Sequence, residues 1–166
     1  MSAVEHMWDI ESGQAMDLQD RLRGQLSLDW DGRSVESVAG VDVHFEGGQA
    51  AAAIVIMSFP ELEGLEAMRA KADLTFPYVP GLLAFREGPA VLAAWEQLGR
   101  DPDLLMFDAH GIAHPRGFGL ASHLGLLLDK PSIGVAKSKL YGTHEVPGPR
   151  KGDSVTLWDE RLEGEP

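Results

Sequence analysis

The sequence predicts an α/β fold built on one mixed sheet, an antiparallel β-meander followed by alternating parallel strands, flanked by helices. Three observations predict it. The β-rich runs "VAGVDVHF" (38–45) and "AAAAIVIMSF" (50–59) are separated only by "EGGQ", a turn whose two glycines supply unusual φ angles. Later, "PDLLMFDAHG" (102–111), "GLASHLGLLLD" (119–129) and "PSIGVAKSKL" (131–140) read as strand, helix and strand. That spacing implies a parallel pair joined by a right-handed crossover. A length of 166 residues suits a single domain, 1–166, with a sizeable core.

Each element has its own signal. Residues 9–27 form an amphipathic helix in which Ile10, Met16, Leu18, Leu22 and Leu26 approximate one stripe, weakened by Gly13 and Gly24. With the loop "DWDGRS" it makes up an N-terminal segment, 1–34. After the two strands, "PELEG" breaks the chain, and residues 65–76, "LEAMRAKADLTF", complete the meander, although the segment also suits a helix. "PYVPG" (77–81) is a loop of fixed shape. Residues 89–98, "PAVLAAWEQL", are expected as a helix with Pro89 in its first turn and Gly99 as its C-cap. The tail "GDSVTLWDERLEGEP" holds one further strand before it ends in charge.

Composition narrows the function classes. No apolar run approaches the ~20 residues of a membrane span, and the N-terminus lacks the pattern of a signal peptide. The chain has no cysteine, so disulfides and thiolate metal sites are excluded, and a cytoplasmic protein is the simplest expectation. A net charge of −12 argues against a nucleic-acid binder. Residues 101–151 depart from that balance, with six bases against five acids. The positive charge therefore lies in the same third of the chain as the histidine-rich "DAHGIAHPRG".

Three carboxylates stand out. Asp42 lies between Val41 and Val43 in a strand, where burial would be costly and a solvent-facing position is the plain alternative. Asp108 ends an apolar strand, where ligands gather in open α/β sheets, or else serves a turn. Glu87 precedes Pro89, where a first-turn glutamate would also suit the helix dipole. Together they form an all-oxygen set suited to a hard cation such as Mg²⁺ or Mn²⁺, the arrangement of phosphoryl-transfer sites. Lys137, after "IGVA", could approach the same sheet edge and stabilise developing charge, or be an ordinary surface lysine. His110 and His114 have i, i+4 spacing, but Gly111 and Pro115 argue against the helix that a zinc pair needs. A Ser-His-Asp set using Ser122, His110 or His114, and Asp108 lacks the G-x-S-x-G elbow.

With these residues in view, the chain resembles the endonuclease V family, inosine-directed nucleases with a ribonuclease-H-like fold. The resemblance rests on "GVDVHFE" (40–46), "PYVPGLLAFRE" (77–87), "DAHGIAHPRGFGLASHLG" (108–125) and "PSIGVAKSKL" (131–140), collinear over a core of 35–145. It implies that Asp42, Glu87 and Asp108 are metal-binding catalytic acids and that Lys137 is the active-site lysine. His114 and Arg116 would face the phosphates beside the cleavage site. Pro77, Tyr78, Val79 and Pro80 would form a wedge with Tyr78 at its tip, rigid and apolar as strand separation requires. The flipped base would meet backbone around Leu82, Gly111 and Ile112.

The implied reaction is Mg²⁺-dependent hydrolysis, with Mn²⁺ as substitute, of the second phosphodiester 3′ to deoxyinosine in DNA. It leaves 3′-hydroxyl and 5′-phosphate ends. The alternatives are inosine-containing RNA as substrate, or a non-catalytic module that binds deaminated bases. A monomer is expected. The family motif reads D-G-H-G, whereas here Ala109 replaces the first glycine, an alanine that would strain any turn requiring positive φ. Family chains also continue beyond the "LWDE" region with a further strand and helix, so a C-terminally truncated member is expected.

Overall fold

The computed structural model describes residues 6–159. The last part of the tail, all of "ERLEGEP", lies outside them. The meander forms as the alternation requires: β1 (Ser37–Glu46) pairs antiparallel with β2 (Gln49–Ser58), which pairs antiparallel with β3 (Gly64–Asp73). The ambiguous third segment is thus a strand. Its Glu66, Met68, Ala70 and Ala72 are half-buried and alternate with exposed residues, the period of a strand rather than of a helix. Gly47 and Gly48 both take positive φ in the β1–β2 turn, 58° and 81°.

On the other side of β1 lie β4 (Leu104–Phe107) and β5 (Ser132–Gly134), both parallel, giving the sheet order β3-β2-β1-β4-β5. Both parallel strands are shorter than expected. β5 stops at Gly134, so Lys137 sits in the loop beyond it. The expected strand of the tail is reduced to one isolated bridge between Thr143 and Trp158.

Three helices occur among the described residues: α1 (Ser12–Arg23), α2 (Leu83–Trp95) and α3 (Leu120–Leu128). The largest correction concerns α2, expected at 89–98. It begins six residues earlier, places Pro89 in its interior rather than its first turn, and ends with Glu96, not Gly99, as C-cap. A proline removes one helical hydrogen bond, but the buried positions Ala84, Phe85, Gly88, Val91 and Ala94 keep helical spacing straight across it. Gly88 has no Cβ to clash with the following proline ring. Beyond α2, the N–H groups of Gly99 and Arg100 donate to the Glu66 carboxylate. Gly99 thus helps to tie the helix exit to β3.

The main core lies between the sheet and helices α2 and α3, where Val41, Ile54, Ile56, Leu105 and Phe107 meet Val91, Leu120 and Leu124. A second cluster joins α1 to the first through Leu18, Leu22, Phe76, Leu82, Phe85 and Phe118. The described helices that contact the sheet therefore cover one of its faces. On the other, the register aligns Val55, Gly40, Met106 and Ile133 in one exposed row. Ala109 takes no positive φ and is buried in the main core, so replacing glycine there strains nothing.

Candidate active site

The pairing of Val41 with Phe107 places Asp42 and Asp108 side by side, on β1 and immediately after β4. β1 continues past this point whereas β4 stops, and the step leaves a recess at the carboxyl end of the parallel strands, the usual location of ligands in such sheets. A cavity of about 190 Å³ occupies it. Asp42, Asp108, Glu87 and Lys137 all line it, with Val41, Val91, Phe107 and Leu120 as apolar wall. The early start of α2 is what brings Glu87 here, since the residue sits in the second turn of the helix and not in the loop before it.

The electrostatics follow from the crowding. Burial, reinforced by the charges of Asp42 and then Asp108, pushes the Glu87 carboxyl up to about 8, against a partial offset from Arg86. Lys137 forms an ion pair with Asp108 while its side chain is 85% exposed. The hydrogen bond to Asp108 holds the ammonium above its ordinary pKa. Among the described residues no three His, Cys, Asp or Glu side chains stand ready-arranged as a metal cage. The three carboxylates share the recess with Asp108 turned to its lysine, as repulsion among like charges dictates. In donor chemistry this all-oxygen set fits a hard cation, and a cation is the charge that its mutual repulsion lacks.

The remaining residues fall into two places. The "PYVP" segment stands out from the surface, with Tyr78 72% exposed and Pro77 and Pro80 exposed. Next to it, His114 and Arg116 do not project into the carboxylate recess. His114 is only 2% exposed, and its Nε2 bonds to the Gly81 carbonyl at 2.9 Å while Nδ1 accepts the Arg116 N–H at 3.2 Å. This makes it the Nε2-protonated tautomer. The Arg116 guanidinium donates from Nη2 to the same Gly81 carbonyl at 2.8 Å. Both residues thus hold the root of the wedge, His114 buried and Arg116 half-buried. Leu82 is 1% exposed beneath the wedge, in the second core. Gly111 and Ile112 instead line an open groove at the β5 edge of the sheet.

Two contacts near the site escaped the sequence. Gln19 of α1 is 1% exposed and joins the wedge root. Its one legible signal is that it completes the buried stripe of Ala15, Leu18 and Leu22, an unusual place for an amide. His110 bonds through Nε2 to the Ser138 carbonyl at 2.8 Å, linking the turn after Asp108 to the loop of Lys137. His110 and His114 thus each bond a backbone carbonyl. Ser122, the serine of the hydrolase alternative, is buried in α3 at 7% exposure.

Comparison with known proteins agrees with this arrangement. The family model "Endonuclease V" matches residues 20–165. An Endonuclease V of Roseiflexus castenholzii is 49% identical over 144 residues, 86% of this chain and 64% of its own. One of Methanothrix thermoacetophila is 47% identical, with 93% and 68% covered. The chain therefore spans about two thirds of the length of these relatives. The crystal structure of Endonuclease V from Streptomyces avermitilis superposes with a TM-score of 0.86 at 41% identity, covering 95% of this chain and 71% of that one. The Ciona intestinalis Endonuclease V, in complex with a 24mer DNA containing an inosine followed by a ribo-adenosine, superposes with a TM-score of 0.69 at 28% identity over 86% of this chain and 62% of that one. Sheet order, the placing of the recess and these matches converge: the chain belongs to the Endonuclease V family, with its ribonuclease-H-like fold.

Proposed function

We propose that the chain is a metal-dependent endonuclease that cuts the second phosphodiester 3′ to deoxyinosine in DNA, a repair activity leaving 3′-hydroxyl and 5′-phosphate ends. The observation that carries the reading is the meeting of Asp42, Glu87, Asp108 and Lys137 in one small recess at the end of the parallel strands. Asp42, Glu87 and Asp108 would hold Mg²⁺, with Mn²⁺ as substitute. When bound, the cation lowers the pKa of an attacking water and neutralises charge on the phosphate. Lys137 supplies a mobile positive charge at the rim of the recess, where it meets an incoming phosphate. Tyr78 and its flanking prolines press between stacked bases, and the base so released would meet backbone at Gly111 and Ile112.

Nicking of a duplex with a single inosine tests this. In Mg²⁺ the parent chain should cut one nucleotide into the 3′ flank, at the second phosphodiester, and Asp42→Ala and Asp108→Ala should fall by about 1,000-fold. Undiminished cutting by either variant would remove its assigned role. The inosine-containing DNA held by the Ciona relative favours nucleic acid as partner, and a matched RNA strand decides whether RNA is cut as well. The second reading is a module that binds deaminated bases without cutting. The chain's two-thirds span of its relatives motivates it, and preference for inosine duplex without nicking in either metal would establish it.

A further inference from the structure

The carbonyl of Gly81 is the point where three separate parts of the chain meet. It accepts from Nε2 of Gln19 on α1 at 3.1 Å, from Nε2 of His114 at 2.9 Å and from Nη2 of Arg116 at 2.8 Å. Gln19 does more than join them. Its Nε2 also donates to the Phe118 carbonyl at 3.0 Å, and its Oε1 accepts from Nε of Arg116 at 2.6 Å. One buried amide thereby links α1 to the wedge and to both ends of the segment that carries Arg116. Gly81 permits the arrangement: its φ is +81°, and a Cβ there would stand 2.8 Å from Nη2 of Arg116 and 3.2 Å from Nε2 of His114. The wedge itself is exposed, so its stiffness comes from this root. Gln19 lies one residue before the start of the family match.

We propose that Gln19 is a positioning residue for strand opening. By holding Gly81 together with Arg116, it fixes the angle at which Tyr78 enters a duplex, and it takes no part in hydrolysis at the carboxylates. The argument is mechanical. A wedge transmits force to stacked bases only if its base does not yield, and a single carbonyl held by three donors on two supports, α1 and the His114–Arg116 loop, cannot turn without breaking several hydrogen bonds. This inference rests on the inosine-nuclease reading above.

The test compares duplex and single-stranded oligonucleotides carrying the same inosine, since only the duplex must be opened. Gln19→Met keeps the length of the side chain and removes its hydrogen bonds. It should raise KM for the duplex about tenfold, the cost of about one buried hydrogen bond. kcat, and cutting of the single strand, should stay within about twofold of the parent by the same scale. In a Tyr78→Ala background, where no ring remains to be aimed, Gln19→Met should have no further effect on the duplex. Equal losses on duplex and single strand, or an undiminished Gln19 effect without Tyr78, would overturn the proposal. So would a Gln19→Met chain that is misfolded by circular dichroism, because Gln19 would then be a requirement of the fold. A 2-aminopurine placed beside the inosine gives a second readout in EDTA. Brightening with the parent but less with Gln19→Met supports the role even if no nicking occurs, whereas equal brightening overturns it. If the parent neither nicks nor brightens the duplex, the nuclease reading fails first.

Discussion

Glu87 is placed where an ionised carboxylate is least welcome, half-buried and facing two others. Its pKa rises from 4.5 to about 8, so between those values the folded chain keeps a proton that the unfolded chain releases. For such a group the stabilising contribution is complete below 4.5 and is lost as pH rises through about 8. Glu87→Gln removes the ionisation altogether. In EDTA the variant should melt with the parent near about pH 4, lead by a widening margin up to about 8 and hold that margin above, a profile set by the linkage relation. Thermal melting across this range checks it, and parallel curves would show that neither burial nor the neighbouring acids raise Glu87. In Mg²⁺ the same variant should lose the rise in Tm that cation binding gives the parent. Lys137 separates in the opposite way. Its exposed ion pair with Asp108 is of the kind worth about 0–1 kcal/mol. Lys137→Ala should therefore leave Tm almost unchanged while cutting nicking roughly 100-fold, the scale of a lost charge-stabilising group.

At the scale of elements, the recess depends on how closely β5 follows the turn that carries Asp108. A Cβ on Gly134 would lie 2.5 Å from the Gly111 nitrogen and 2.6 Å from the Ala109 carbonyl, and neither backbone atom can step aside alone. Gly134→Ala should lower stability by about 1–3 kcal/mol, the usual cost of overpacking, and lower nicking with it. Gly40→Ala on β1, with open space around the added carbon, should be tolerated. A denaturant titration of both variants distinguishes a steric cause from a general dislike of alanine in strands. The same elements show what can be read from a sequence. The meander was legible because apolar alternation and the Gly47–Gly48 turn are local properties. The ends of β4 and β5 were not, since pairing with β1 and β4, rather than composition, decides where a buried strand stops. α2 began early because packing of Ala84 and Phe85 outweighed the local signal of Pro89. Among the site residues, Asp42, Glu87, Asp108 and Lys137 were visible by type and motif. The bonds of His114 and Arg116 to the wedge root were not, because their partner is a backbone carbonyl, which leaves no mark in the sequence.

The molecule as a whole is tied together by an aromatic cluster near the chain's beginning. Nε2 of His6 meets Nε2 of His123 at 2.7 Å, with Trp8, Phe85 and Phe118 around the two rings. Trp8 packs so closely on α2 that a Cβ at Gly88 would lie 2.4 Å from its ring. Nδ1 of His6 donates to the Met7 carbonyl, so its Nε2 is the acceptor and His123 the donor, leaving Nδ1 of His123 bare and unpartnered. Burial, and less strongly the neighbouring His6, drives His123 down to about 3. For a histidine lowered in the fold, stability is complete above the ordinary 6.5 and is lost as pH falls toward about 3. This slope is opposite to that of Glu87, and the two windows overlap between 4.5 and 6.5. The metal-free chain should therefore show a shallow stability plateau in the overlap, with an alkaline decline from Glu87 above it and an acid decline from His123 below. Mg²⁺, by occupying the recess and favouring ionised Glu87, should abolish the alkaline decline and leave the acid one in place. His123→Phe should do the reverse, weakening the slope below the plateau, to which His6, also lowered by burial, adds, while the alkaline decline persists in EDTA. Melting curves of parent and variant over this pH range, with and without Mg²⁺, check both halves. A cation that flattened the acid limb as well would mean that the recess and the aromatic cluster are one cooperative unit rather than two independently titrating sites.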